Sequence, residues 1–195
     1  MAVGVYSIGT DWPIDVAAGK PRERIADMTF LETDRLRLRH LSSTDAAFML
    51  ELLNDPDFIR NIGDRGVRTL DEARQYILTG PAASYEQHGF GLDVVESRQS
   101  GLSVGLCGLL RRDCHPDVEL GFAFLPAARG QNYAFEAGRA ALDFGTRSLG
   151  LTRIVALTAP DNMASIRVLE RLGFRFERMV SWLNPTRDSK LFVIR

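Results

Sequence analysis

The stretch from Val118 to Ala134, Val-Glu-Leu-Gly-Phe-Ala-Phe-Leu-Pro-Ala-Ala-Arg-Gly-Gln-Asn-Tyr-Ala, constrains this chain more than any other. Glu119, Gly121, Ala123 and Leu125 alternate with Leu120, Phe122 and Phe124, the period of a strand with two different faces. Pro126 has no N–H to give a ladder, so the strand stops there. Arg129-Gly130-Gln131-Asn132 then turns into a helix that begins near Tyr133. Such a turn gathers unpaired backbone N–H groups and the positive end of a helix dipole at one point, a geometry that binds a phosphate or pyrophosphate.

The residues from Ala134 to Thr158 complete a unit. Ala134, Ala137, Gly138, Ala141 and Gly145 form a small-residue helix face that lets the helix lie close on a sheet. Glu136, Arg139, Asp143 and Arg147 sit opposite, with Asp143 and Arg147 spaced as an i,i+4 pair. Arg153 to Thr158 is almost continuously apolar and reads as a buried strand. Strand, crossover helix and strand make a right-handed βαβ unit, so 118–125 and 153–158 should run parallel. Ligands bind at the carboxyl ends of such strands.

A chain of 195 residues is expected to hold one domain with a sizeable core. A net charge of −1 argues against a nucleic-acid surface, and no apolar run approaches a membrane span. Cys107 and Cys114, with His115 beside the second, match neither a zinc-ligand spacing nor a disulfide framework. The expectation is no metal site and two reduced thiols in a cytoplasmic protein. Residues 1–28, broken by Gly4, Gly9, Pro13, Gly19 and Pro21, read as an extension; residues 29–195 read as the domain.

Within the domain, Leu36, Leu38 and His40 alternate with Arg35, Arg37 and Arg39, an amphipathic first strand with a solvated arginine face. Thr44 or Asp45 caps a helix through Leu53 that buries Ala46, Met49, Leu50 and Leu53. Asn54-Asp55-Pro56-Asp57 ends it, and Phe58 to Arg68 is a loop or short helix. Thr69 and Glu72 form a capping box for a second helix to about Leu78, which can resume through Gln87. Strands come next at Leu92–Glu96 and Leu102–Leu110 around a turn at Ser97–Gly101. The Gly-x-Gly at Gly89–Gly91 lacks a third glycine and a following helix, so it is no dinucleotide fingerprint. Asn162 or Asp161 caps a helix that Gly173 ends, before a closing hairpin of Phe174–Trp182 and Leu191–Arg195.

Two motifs carry a resemblance. Arg129-Gly130-Gln131-Asn132-Tyr133-Ala134 resembles the acetyl-CoA loop of the GNAT acetyltransferase superfamily, with Asn132 where a central glycine is usual. Asparagine tolerates left-handed backbone better than most residues, so the loop can keep its shape. Asn162-Met-Ala-Ser165-Ile-Arg-Val-Leu169-Glu-Arg-Leu172-Gly173-Phe174 resembles the Asn-x-x-Ser-x-x-x-Leu-x-x-x-Gly-Phe motif of the branch that contains the Rim-type ribosomal-protein N-terminal acetyltransferases. The opening run Glu32-Thr-Asp-Arg-Leu-Arg-Leu-Arg is similar to that branch too.

The resemblance implies an α/β GNAT fold: a mixed, mostly antiparallel central sheet, helices on both faces, and a parallel pair that splays to bind acetyl-CoA as co-substrate. It implies that Arg129, Gly130, Gln131, Asn132, Tyr133 and Ala134 cradle the CoA phosphates and that the backbone of Phe124 and Leu125 pairs with the pantetheine. Asn162 would contact the pantetheine as well. The expected catalytic residues are Glu119, for the amine proton, and Ser165, for the leaving sulfur; the tyrosine that many relatives place at position 169 is leucine here. Each has a plainer role open, an ion pair for Glu119 and helix capping for Ser165. The implied activity is direct acetyl transfer to a primary amine, of a protein or peptide N-terminus or an amino acid. A polyamine or antibiotic acceptor and a non-catalytic acyl-CoA sensor are the alternatives, and association into a homodimer stays open.

Overall fold

A computed structural model describes residues 30–112, 115–181 and 188–195. The expectations for residues 1–28, Cys114 and Trp182 lie outside the described residues. The chain starts with β1 (Phe30–Glu32) and β2 (Leu36–Arg39), so the arginine-rich strand is the second one. Then come α1 (Ala46–Leu53), α2 (Pro56–Asn61), α3 (Leu70–Ile77) and α4 (Ala83–His88). The meander of β3 (Leu92–Ser97), β4 (Ser103–Arg111) and β5 (Val118–Phe124) is next. The second half is α5 (Tyr133–Arg147), β6 (Ile154–Thr158), α6 (Met163–Arg171), β7 (Arg175–Val180) and β8 (Ser189–Ile194).

The described strands form one sheet in the order β1-β2-β3-β4-β5-β6-β8-β7. Every neighbouring pair is antiparallel except β5–β6, the parallel pair that the crossover helix requires. Helices α5 and α6 cover one face, where Ala137, Ala141, Ile166 and Leu169 pack on Leu38, Cys107, Leu120 and Phe192. Helices α1 to α3 cover the other, with Met49, Leu52, Phe58 and Ile77 on Val94 and Leu106. A Cβ on Gly138 would stand 2.9 Å from Leu172, and one on Gly145 would stand 2.8 Å from Leu109. Those contacts are why the inner face of α5 is built of small residues.

Local signals act mostly as read. Thr69 Oγ1 accepts from the Glu72 N–H at 3.2 Å, and Glu72 accepts from the Thr69 N–H at 2.9 Å, which closes the capping box of α3. The helix widens into a π-type turn at Leu78–Ala82, where Pro81 has no N–H for a regular bond, and resumes as α4. In α1 the buried stripe is Ala46, Met49, Leu52 and Leu53, with Leu50 half-buried at its edge, so the stripe is wider than expected. Met49, Leu52 and Leu53 each contribute about 1.5–3 kcal/mol by leaving water.

Two polar expectations are corrected and one is extended. The arginines of the 35–39 run form a solvated face as read and are also paired: Arg35 with Glu136 at 2.5 Å, Arg37 with Glu32 at 2.9 Å, Arg39 with Asp45 and Glu96 at 2.8 Å each. Asp45 therefore faces Arg39 and the Ser42 N–H, and its side chain does not cap α1. On α5 the i,i+4 pair is Arg139–Asp143 at 3.6 Å. Among the described residues no helix is long and apolar enough to cross a membrane.

Candidate active site

The site begins as a fork. Strand β5 pairs with β4 along its whole length but with β6 only at Val118–Ile154 and Glu119–Val155. The Leu125 N–H donates to the Val104 carbonyl at 3.0 Å, and antiparallel pairs alternate in direction. Leu120, Phe122 and Phe124 therefore turn their N–H and C=O groups toward β6. From Leu120 onward about five residues, or roughly 16 Å of strand edge, have no strand partner on that side among the described residues. The expectation for Phe124 and Leu125 shifts accordingly: Phe122 and Phe124 address the open edge, whereas Leu125 addresses β4.

The turn after β5 supplies anion-binding geometry. Pro126–Ala128 makes one 3-10 turn, closed by the Arg129 N–H on the Pro126 carbonyl at 3.2 Å. Gly130 (φ 75°) and Asn132 (φ 66°) then take left-handed backbone on either side of Gln131. Among the described residues the N–H groups of Gly130, Gln131, Asn132 and Tyr133 donate to no main-chain acceptor outside the helix, and the first bond into α5 comes from Glu136. Consecutive free N–H groups at a helix start form a nest for an anion. A Cβ on Gly130 would meet nothing within 4 Å, so the space above it is open.

Asn132 is the one non-glycine residue with positive φ among those described. Its side-chain oxygen accepts from Arg171 Nη1 of α6 at 2.8 Å, which carries the side chain toward α6. Gln131 donates to the Ala127 carbonyl at 2.8 Å, Tyr133 lies under the Arg35 guanidinium at 4.9 Å, and Ala134 packs on the main core. The Arg129 side chain is engaged elsewhere: Nε donates to the Phe124 carbonyl at 3.0 Å, Nη1 to Asp57 at 2.5 Å, and Nη2 to Asp55. The anion-binding geometry of the turn is thus main-chain, and Asp55, Asp57 and Arg171 are neighbours that sequence spacing could not supply.

Helix α6 starts at the carboxyl end of β6, where the fork is open. Asn162 caps it, its side-chain oxygen accepting from the Ser165 N–H at 3.1 Å. Among the described residues no hydrogen bond involves the Ser165 hydroxyl, which is half-buried one turn before the buried Leu169. The main chain of Ser165 performs the capping and its side chain does not.

Glu119 stands on the last paired rung of the fork and is 4% exposed. Arg112 Nε donates to it at 2.6 Å, and the His115 imidazole lies 3.6 Å away. Burial pushes its carboxyl up, but the neighbouring His115 and Arg112 outweigh that and hold it below the ordinary carboxylate range. Of the two roles open to Glu119, this arrangement matches the ion pair. Arg112 and His115 were missed because they sit on the β4–β5 connection, whose length hides the hairpin register; Leu110 pairing with Glu119 brings them close.

An acyl-CoA fits these parts. The free N–H groups suit its pyrophosphate and the open edge of β5 suits its amide arm. The acetyltransferase (GNAT) domain model matches residues 35–175. The Bacillus subtilis (strain 168) protein YkkB, itself described as uncharacterized, is 32% identical over 161 residues, which cover 80% of this chain and 92% of that protein. Two solved structures are similar in fold. RimL, a ribosomal L7/L12 α-N-protein acetyltransferase in complex with coenzyme A, has a TM-score of 0.72 at 16% identity, covering 85% of this chain and 97% of RimL. A spermidine N-acetyltransferase from Vibrio cholerae in complex with CoA and spermine has a TM-score of 0.67 at 22% identity, covering 83% of this chain and 96% of that one. With a splayed parallel pair, a backbone anion cradle and a family match over most of its domain, the chain belongs to the GNAT acetyltransferases and is an acyltransferase that uses acetyl-CoA.

Proposed function

We propose that this enzyme acetylates α-amines of peptides or amino acids, by direct attack on acetyl-CoA in a ternary complex, as a member of the Rim-like branch. The observation that carries this reading is the charge state of α1 to α3 and their connections, which the family resemblance makes the acceptor-side wall. Asp55 and Asp57 are paired with Arg129, Asp57 also with Arg60 at 2.7 Å, Asp64 with Arg68 at 2.6 Å, and Asp71 with Arg74. Glu72 is engaged in its capping box. A polyamine carries several ammonium groups and needs carboxylates without a cationic partner, whereas each of these four aspartates already has an arginine.

Proton chemistry supports the same choice. An alkyl ammonium with pKa about 10.4 is neutral in roughly one molecule in a thousand near pH 7.4, an α-amine with pKa about 7.7–8.0 in about a quarter. A site whose carboxylate is held acidic suits the second. In this mechanism the α-ammonium gives up its proton to water, with Glu119 held in its ion pair with Arg112 at the closed end of the fork. The amine then attacks the thioester carbon, and the Ser165 hydroxyl stabilises the departing sulfur. The N–H groups of Phe122 and Phe124 face the pantetheine and the thioester oxygen. Asn162 contacts the pantetheine beside its capping bond.

The test is thiol release from acetyl-CoA, with kcat/KM for a panel of α-amine peptides and amino acids compared with spermidine at one pH. Faster turnover of the α-amines is expected. A clear preference for spermidine overturns the acceptor class, and no release with any amine overturns the enzymatic reading.

A further inference from the structure

We propose that Arg129 is a positioning residue that fastens the acceptor-side helix α2 to the end of β5, so that occupancy of the cofactor loop fixes the acceptor wall. The proposal rests on the reading of residues 130–133 as the pyrophosphate cradle. Arg129 immediately precedes that cradle, yet all three nitrogen positions of its guanidinium are bonded to protein groups. Nε takes the Phe124 carbonyl, one of the groups that address the fork. Nη1 takes Asp57 in the first turn of α2, and Nη2 takes Asp55, the residue that caps that helix.

Asp55 makes the link stiff. Its side chain is 6% exposed, and the oxygen that meets Arg129 also accepts the Asp57 and Phe58 N–H groups at 3.1 Å each. Phe58, next along α2, is buried against Met49, Leu52 and Val94. The helix is therefore anchored at its start by Arg129 and at its inner face by the core. The planar guanidinium reaches a carbonyl and two carboxylates at once through a rigid fork, which an ammonium cannot do. Without Arg129, Asp55 would remain a buried carboxylate with its counter-charge removed and only its capping bonds left.

The consequence is a mechanical relation between the two halves of the site. When the loop closes on a pyrophosphate, the 129–133 backbone is ordered, and Arg129 carries that order into α2. Loss of the link should uncouple the halves while leaving the backbone cradle itself complete.

The experiment measures hydrogen exchange of the 55–62 amides with and without saturating CoA in the parent, Arg129→Gln, Arg129→Lys and Asp57→Asn proteins. CoA affinity is measured by calorimetry alongside. In the parent, CoA should slow exchange at 55–62 by about tenfold, within the usual range of coupling between sites. Arg129→Gln should keep CoA affinity within about threefold and lose that slowing, with acceptor KM for the α-amine peptides raised by a comparable factor. Arg129→Lys, which keeps the charge and not the fork, should recover only part of it. Asp57→Asn leaves the loop and Arg129 in place and should weaken the slowing, so the link stays testable if the Arg129 variants fail to fold. A loss of CoA affinity of about 100-fold in Arg129→Gln would make Arg129 a cofactor ligand and overturn the proposal. CoA binding with unchanged 55–62 exchange in the parent would overturn it alone, whereas a parent that binds no CoA would overturn the cradle reading as well.

Discussion

Replacing Asp93 with asparagine should change the pH dependence of stability strongly. Asp93 lies on β3 opposite Cys107, and its Oδ1 is buried without a hydrogen-bond partner among the described residues. The His40 ring stacks on Tyr85 at 3.8 Å and brings Nε2 to 3.9 Å from Asp93. Burial lowers His40 from its ordinary value, and burial raises the thiol of Cys107 and the hydroxyl of Tyr85. Burial pushes the Asp93 carboxyl up to about 7 from an ordinary 3.8, against a smaller lowering by Tyr85. A folded-state value above the unfolded one means that its contribution is fully present below about pH 4 and is lost as pH rises through 7. At 1.36 kcal/mol per unit the whole loss is about 4 kcal/mol, of which about 2–3 falls between pH 5 and pH 8. Urea unfolding of the parent and Asp93→Asn at those two pH values reads this directly. The asparagine protein should gain about 2–3 kcal/mol on the parent between them, or about 1 M in midpoint. A difference between the two proteins that stays constant from pH 5 to pH 8 would refute the reasoning, because titrating groups away from Asp93 cancel in the comparison.

Two further outcomes test the fork. Ser165→Ala should lower thiol release by about 100-fold with CoA affinity and urea midpoint unchanged, because the cap needs only its backbone; a parallel fall in stability would return Ser165 to a capping role. Asn132→Gly keeps left-handed backbone at φ 66° and should hold CoA affinity within about threefold, whereas Asn132→Val should lose about 1–2 kcal/mol of stability to backbone strain, read in the same urea and calorimetry measurements.

Much of this architecture is legible in the order of residues because it depends on neighbours in sequence. The alternation of Val118–Phe124, the stop at Pro126 and the small face of α5 each act over a few positions. The parallel β5–β6 pair then comes from connectivity alone. Side-chain partners are different. Arg129 reads as a phosphate ligand because of the motif it opens, but Asp55 and Asp57 lie 74 and 72 residues away and claim it. Glu119 reads as a base on an apolar strand, yet its proton affinity is set by Arg112 and His115 across a hairpin whose register the sequence conceals. The shift from Leu125 to Phe122 has the same origin. One bond, Leu125 to Val104, decides which backbone groups face the fork.

Asn162 and Ser165 bring the local and the distant together. A helix start leaves N–H groups unsatisfied, and a serine three residues into a helix can answer that need with its own hydroxyl or leave it to the cap. Here the Asn162 side chain takes the Ser165 N–H, so folding makes no demand on the Ser165 oxygen. Leu169, where many relatives carry a tyrosine, is buried at 1% exposure and holds α6 on the sheet. On the proposed mechanism the contact with the leaving sulfur falls to Ser165 and the packing to Leu169, one helical turn apart, where a tyrosine at position 169 would have to combine the two. That division is why removing the hydroxyl should reach the chemistry without reaching the fold.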